Sequence, residues 1–162
     1  MNKQEVYDYL TENNIEFEVT EHKAVYNMAE LEDVQFPYPE FIAKNLFIRD
    51  DKKRNYYLIT VKGDKRVDLM SFRQSYGTRP LTLASEDDLF AMLGLKAGSV
   101  TPLGLLNDNE HSVKLFIDSD FFTEPYIIGV HPNENTATVW LSPVDLVKIL
   151  TEHGAVVEKV KI

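Results

Sequence analysis

Four kinds of group along this chain could do chemistry together: one cation, one carboxamide, one glycine-entered loop and one imidazole. Lys44 and Asn45 stand at the head of the apolar run Ala43-Lys44-Asn45-Leu46-Phe47-Ile48. Some fifty residues on, Gly98-Ser99-Val100-Thr101-Pro102 forms a loop entered by glycine and closed by proline, whose main chain a ligand can approach closely. His131 ends a further apolar run, in Gly129-Val130-His131-Pro132-Asn133. The set contains no thiol and no readable acid–base dyad. It suits polar recognition of a nucleotide-like ester better than self-contained nucleophilic catalysis. Ser99 has no histidine–carboxylate partner nearby in sequence, which speaks against it as a nucleophile.

Composition narrows the chemistry further. The chain has 162 residues, 44% of them hydrophobic, enough for one domain over 1–162 with a real core. It has no cysteine, which excludes disulfides, thiolate catalysis and cysteine zinc sites. The four histidines lack metal-ligand spacing, so no metal and no cofactor is expected. His22, His111 and His153 read as peripheral. No apolar run reaches the roughly 20 residues of a membrane span, and the first residues lack a signal-peptide core, so the expected location is cytoplasmic, without membrane contact. Monomer is the default state. A net charge of −9 argues against non-specific nucleic-acid binding. The basic residues Lys44, Arg49, Lys52, Lys53, Arg54, Lys62, Lys65 and Arg66 nevertheless crowd one region. They read either as a solvated hairpin tip or as a basic rim beside Lys44 that guides an RNA end.

The elements that must position these groups mix helices with hairpin-spaced strands. Asn2 and Glu5 form a capping box for a helix over about 3–12, and Phe17 and Val19 alternate with polar residues in a short strand. A short helix is expected from Asn27 to Val34. Asn45 to Arg49 and Tyr56 to Val61 read as a hairpin across a charged tip. Asp68 opens a helix that ends near Gly77, and Ser85 caps another that Gly94 stops. Val113 to Ile117, Tyr126 to Val130 and Ala137 to Leu141 are strands, the last two paired. Ser142-Pro143 starts a helix that Gly154 ends, and Val156 to Ile162 is a candidate edge strand. The order predicts an α+β, or mixed α/β, class around a central, largely antiparallel sheet. Strand alternation would send Lys44 and Asn45 to opposite faces.

The ordered series Lys44-Asn45, Lys62-Gly63-Asp64-Lys65, Gly98 to Pro102 and Gly129-Val130-His131 resembles the YbaK/prolyl-tRNA-synthetase-associated editing domain family. The likeness runs over nearly the whole chain, nearest to the free-standing prolyl-tRNA editing proteins. The resemblance implies a mixed sheet curled into a partial barrel with helices packed outside. It implies an enzyme that hydrolyses alanyl-tRNA(Pro) at the 3′ aminoacyl ester, in trans to prolyl-tRNA synthetase. Its partners would be the tRNA acceptor end and the synthetase.

By the same resemblance Lys44 is the essential lysine, either anchoring the phosphate or ribose or polarising the ester carbonyl. Gly98 and Ser99 would offer backbone groups to the reacting ester, and Pro102 would fix the loop's exit. Asn45 would bind substrate or satisfy backbone at the strand start. His131 would line the aminoacyl pocket, with Met28, Leu31 and Phe47 as further wall residues. A positioned water, helped by the substrate's ribose hydroxyl, would need no side-chain base. Two other readings stay open: the same chemistry on a cysteinyl, seryl or threonyl ester, and a non-catalytic module that binds tRNA or a synthetase.

Overall fold

The computed structural model describes residues 1–24, 29 and 34–162. In chain order its helices are α1 (Lys3–Glu12), α2 (Leu69–Tyr76), α3 (Glu86–Leu93) and α4 (Pro143–His153). Its strands are β1 (Phe17–Glu21), β2 (Ala43–Asp50), β3 (Tyr56–Lys62), β4 (Leu81–Leu83), β5 (Val113–Asp118), β6 (Ile128–Val130), β7 (Ala137–Leu141) and β8 (Val157–Val160). A 3-10 turn over Pro102–Asn107 links the Gly98–Pro102 loop to the core. The helix expected over 27–34, and with it Met28 and Leu31, falls on positions outside the described residues, Ala29 and Val34 excepted.

Local chemistry sets the helix ends. Asn2 accepts from the Glu5 amide and Glu5 accepts from the Asn2 amide, closing the capping box. Asp68, Ser85 and Ser142 each accept from amides of the first turn of α2, α3 and α4. Left-handed glycines, Gly77, Gly94 and Gly154, end the same three helices. Between β2 and β3 the buried Asp50 closes the turn. Its carboxylate accepts from the amides of Lys52 and Arg54 and from the Asn55 side chain. Those bonds hold its carboxyl below the usual range, against the opposing effect of burial.

The class is α+β with mixed, largely antiparallel pairing, but the strands divide into two sheets that are not closed into a barrel. One runs β1-β7-β6, all antiparallel. The other runs β4-β2-β3-β5-β8, with β2 antiparallel to β3 and β4, and β3, β5 and β8 parallel. The main core lies between the sheets. Phe47, Leu58, Leu115 and Ile117 face Ile128, Val130, Val139 and Leu141, sealed by Leu10, Leu93, Leu146 and Leu150 from α1, α3 and α4. The other face of the larger sheet carries Ile48, Ile59, Val61 and Phe116 under Phe72 of α2. Burial on both faces accounts for the nearly continuous apolar run in β3, which Thr60 alone interrupts before Val61.

The outer face of the smaller sheet is covered differently. Trp140 packs there with Ile42, Phe36, Tyr38, Phe41 and Ile127. Its ring lies flat on Gly129, where an added Cβ would sit 2.6 Å from Trp140 Cζ3 and 2.8 Å from Cη2. Gly129→Ala must push the indole away. We expect a loss of about 1–3 kcal/mol from this overpacking. Trp140 is the only tryptophan, so thermal melting followed by intrinsic fluorescence reads both the loss and the displaced ring.

Candidate active site

β2 is already regular at its start, with Lys44 opposite Val61 and Asn45 opposite Thr60. The two side chains therefore leave on opposite faces, as alternation predicts. Asn45 shares its face with Phe47, and its side-chain oxygen accepts from the Thr60 hydroxyl at 2.6 Å. That bond satisfies two polar groups on adjacent strands and favours a structural role for Asn45. Phe47 is buried in the main core and stacked on Tyr56, with ring centroids 5.7 Å apart. Its ring is spent on core packing rather than offered as an open pocket wall.

Lys44 is half-buried, and its ammonium donates to the Lys65 carbonyl at 3.1 Å. Among the described residues no carboxylate lies within ion-pair distance of it, so the ordinary surface ion pair is not what holds it. Lys65, by contrast, has its charge fully engaged. Its Nζ sits 2.8 Å from Asp118 and 2.7 Å from Asp120, and donates also to the Ile162 carbonyl. Burial works against that charge, but the bonds to Asp118 and Asp120 outweigh it and raise the Lys65 pKa above its usual value.

The basic cluster read from the sequence splits in space. Lys62 and Lys65 lie at the open end of the β2–β3 hairpin with Lys44. Lys52, Lys53 and Arg54 occupy its turn. Five residue steps separate Lys44 from Arg49, or about 17 Å of strand. A rim beside Lys44 can therefore be built only from the first group and the adjoining, exposed Arg66, and the tip residues are a solvated turn.

The loop and the imidazole do meet. Thr101 is fully buried, and its hydroxyl donates to the His131 carbonyl at 2.7 Å. The same hydroxyl accepts from the Leu103 amide, opening the buried 3-10 turn that Pro102 begins. Gly98 is left-handed at φ +87°, a conformation that glycine adopts at little cost. The Ser99 amide is committed to the Lys96 carbonyl at 3.0 Å, so it is not free for an ester oxygen. No hydrogen bond joins Ser99 to a histidine or carboxylate among the described residues.

A parallel bridge between Ile42 and Gly129 brings the start of β2 against β6, two residues before His131. The lysine strand, the loop and the imidazole are thus gathered around β6, at Gly129 on one side and His131 on the other. His131 itself is largely buried. Its Nδ1 lies 2.9 Å from the Ala137 carbonyl. A carbonyl only accepts, so Nδ1 carries the proton and the neutral ring presents an unprotonated Nε2. Burial chiefly lowers the His131 pKa below the usual histidine value. The bond to Ala137 opposes the shift and nearby His22 adds to it.

His22 is not peripheral. Its ring centroid lies 6.1 Å from that of His131 and 5.7 Å from Phe36, which contacts Trp140 in turn. Thr101, Thr138 and Trp140 complete a set that sequence reasoning passed over. The one available signal was the placing of Thr101 inside the Gly98–Pro102 loop. His111 and His153 form an edge-on pair beside Gly154. No group of three or more metal-ligating side chains occurs among the described residues.

The family description "aminoacyl-tRNA editing domain" matches residues 22–149. The chain is 39% identical over 152 residues to the prolyl-tRNA editing protein ProX of Acetoanaerobium sticklandii, covering 94% of this chain and 92% of that protein. It is 33% identical over 158 residues to the prolyl-tRNA synthetase associated domain-containing protein 1 of Danio rerio, covering 96% and 85%. Among solved structures, a candidate trans-editing enzyme for prolyl tRNA synthetase superposes with a TM-score of 0.73 at 23% identity. That match covers 100% of this chain and 98% of the other, and the likeness is one of fold.

Proposed function

The chain belongs to the aminoacyl-tRNA editing domain family, and from that premise we propose that it deacylates alanyl-tRNA(Pro) in trans to prolyl-tRNA synthetase. The observation that carries the proposal is the bond from Thr101 to His131, which fastens the glycine-entered loop to the strand end bearing the imidazole. An ester entering there meets a peptide loop, an unprotonated imidazole edge and, across the Ile42–Gly129 bridge, the strand of Lys44. The names of the relatives support prolyl-tRNA as the editing context.

In this reading Lys44 supplies positive charge for the acceptor end or the ester oxygen. Its freedom from carboxylate partners among the described residues leaves that charge available. The Gly98–Pro102 main chain shapes the place where the ester carbonyl sits. Water attacks that carbonyl, the ester C–O bond breaks, and the ribose oxygen leaves with a proton. The Nε2 of His131 is available to accept a hydrogen bond from the water or from the neighbouring ribose hydroxyl. An aminoacyl ester is already activated, so positioning and charge stabilisation suffice.

Size selection against proline requires a narrow pocket, each methylene being worth ~1–3 kcal/mol. The acidic body, with a net charge of −9, makes tRNA binding weak and salt-sensitive, which favours action alongside the synthetase. The reading is tested by single-turnover hydrolysis of tRNA(Pro) charged with alanine, cysteine, serine or threonine. Fastest loss of the alanyl ester supports it. A faster cysteinyl, seryl or threonyl ester moves the specificity, and tRNA binding without hydrolysis of any ester leaves a binding module.

The pH profile is a further expectation. Catalysis here uses neutral His131, whose pKa lies below the usual value of about 6.5. Protonation of the folded chain is therefore centred below 6.5. The acid limb of the rate constant should be centred below 6.5 as well. Stability, full above 6.5, should begin to fall from there, because the unfolded chain takes up the proton first. His22 faces this ring and must be followed in the same titration. An acid limb centred above 6.5 would contradict the assignment.

A further inference from the structure

Two neighbouring residues of β7 hold two imidazoles. The Ala137 carbonyl takes the Nδ1 proton of His131 at 2.9 Å. The next residue, Thr138, buried at 3% exposure, places its hydroxyl 3.0 Å from Nε2 of His22. The other nitrogen of His22, Nδ1, lies 2.8 Å from the Lys23 carbonyl, and its amide donates to the Thr136 carbonyl at 3.0 Å. A carbonyl accepts only, so Nδ1 of neutral His22 carries the proton and Nε2 accepts from Thr138. Both ring nitrogens of His22 are therefore spent.

Among the described residues His131 is held at one nitrogen only, and a single hydrogen bond leaves a ring free to swing about that bond. The ring packed against it is His22, 6.1 Å away and itself backed by Phe36. Trp140 stands behind Phe36 and is fixed in turn by a bond from its indole N–H to Thr20. We propose that His22 is a positioning residue of the deacylation site, a doubly tethered imidazole that holds His131 with its unprotonated Nε2 edge toward the ester. The proposal rests on the editing reading above and adds a residue to it.

The test pairs kinetics with a spectroscopic readout that does not need turnover. For His22→Ala, kcat on alanyl-tRNA(Pro) should fall by about tenfold or more, with KM within about twofold, because misorientation of a positioned group costs rate rather than binding. His22→Gln, whose side-chain oxygen can still accept from Thr138, should recover most of the rate. In long-range proton–nitrogen spectra, wild-type His131 should show the Nδ1–H tautomer, and His22→Ala should convert it to a mixture. Thr138→Val, which removes the hydroxyl but keeps the shape, should move the same signals in the same direction. It takes the place of His22→Ala should that variant fail to fold.

Unchanged His131 resonances in the folded variants would overturn the proposal, whatever happens to the rate. A rate loss with those resonances unmoved would give His22 a direct role instead. Wild-type protein that hydrolyses no ester would defeat the editing reading, while the spectra would still decide whether His22 orients His131.

Discussion

Lys44→Ala is expected to abolish deacylation of alanyl-tRNA(Pro) while leaving the fold in place. Removing one charge that stabilises a transition state in a protected site costs a factor of about 100–1,000. The structural cost is small. Among the described residues the ammonium makes one hydrogen bond, to the Lys65 carbonyl at 3.1 Å, and water can replace a half-exposed donor. A melting temperature close to wild type should accompany the lost activity. Lys44→Arg should not restore it, since a planar fork does not reproduce a compact ammonium at the same point. The kinetic constants separate the two roles left open by the sequence. A raised KM at constant kcat marks an anchor for the acceptor end, and a lowered kcat marks stabilisation of the ester oxygen. Full activity of the alanine variant would remove Lys44 from the site.

The second large effect concerns a residue behind Lys44. Asp118 has no exposed surface, and its carboxylate binds Lys65 Nζ, the Lys62 amide and the Asp120 amide. It therefore fixes the segment whose Lys65 carbonyl holds Lys44. Asp118→Ala strips the inner partner from a largely buried ammonium and leaves an amide on β3 without its acceptor. Breaking such a pair from one side costs about 3–5 kcal/mol. For a chain of this length that is roughly 10 °C in melting temperature. Activity measured well below the melting point should also drop, because Lys44 loses its fixed acceptor. Thermal melting with parallel rate measurement checks both. A variant as stable as wild type would show that Asp120 and the Ile162 carbonyl hold Lys65 unaided.

Much of the scaffold was legible because its signals are local. The Asn2–Glu5 box, the Asp68, Ser85 and Ser142 caps, and the three glycine stops are each decided within a few residues. The β2–β3 hairpin declared itself through a charged tip between apolar runs, and the opposite facing of Lys44 and Asn45 through period-two alternation. What stayed hidden is non-local. β4 is three residues long after Arg79-Pro80 and exists by pairing with β2. The division into two sheets depends on β1 pairing with β7, some 120 residues away. Tyr126 and Ile127, expected in a strand, lie before β6, where Tyr126 takes a positive φ.

The same distinction holds within the site. Residue types pointed to Lys44, the Gly98–Pro102 loop and His131. Their meeting is made by Ile42 against Gly129 and by Thr101 against His131, contacts that span about 90 and 30 positions. No local pattern marks Thr101 as a buried donor or His22 as a partner of a histidine more than 100 residues on. Phe47 shows the converse. Its apolar character was read correctly, but alternation alone does not tell a core ring from a pocket wall.

The most direct measurement is the initial rate of hydrolysis of alanyl-tRNA(Pro) beside prolyl-tRNA(Pro) by the wild-type protein at matched low salt. The account predicts rapid loss of the alanyl ester, with the prolyl ester slower by at least about tenfold, as a size-limited pocket requires. Equal loss of both esters, or survival of both, would contradict it.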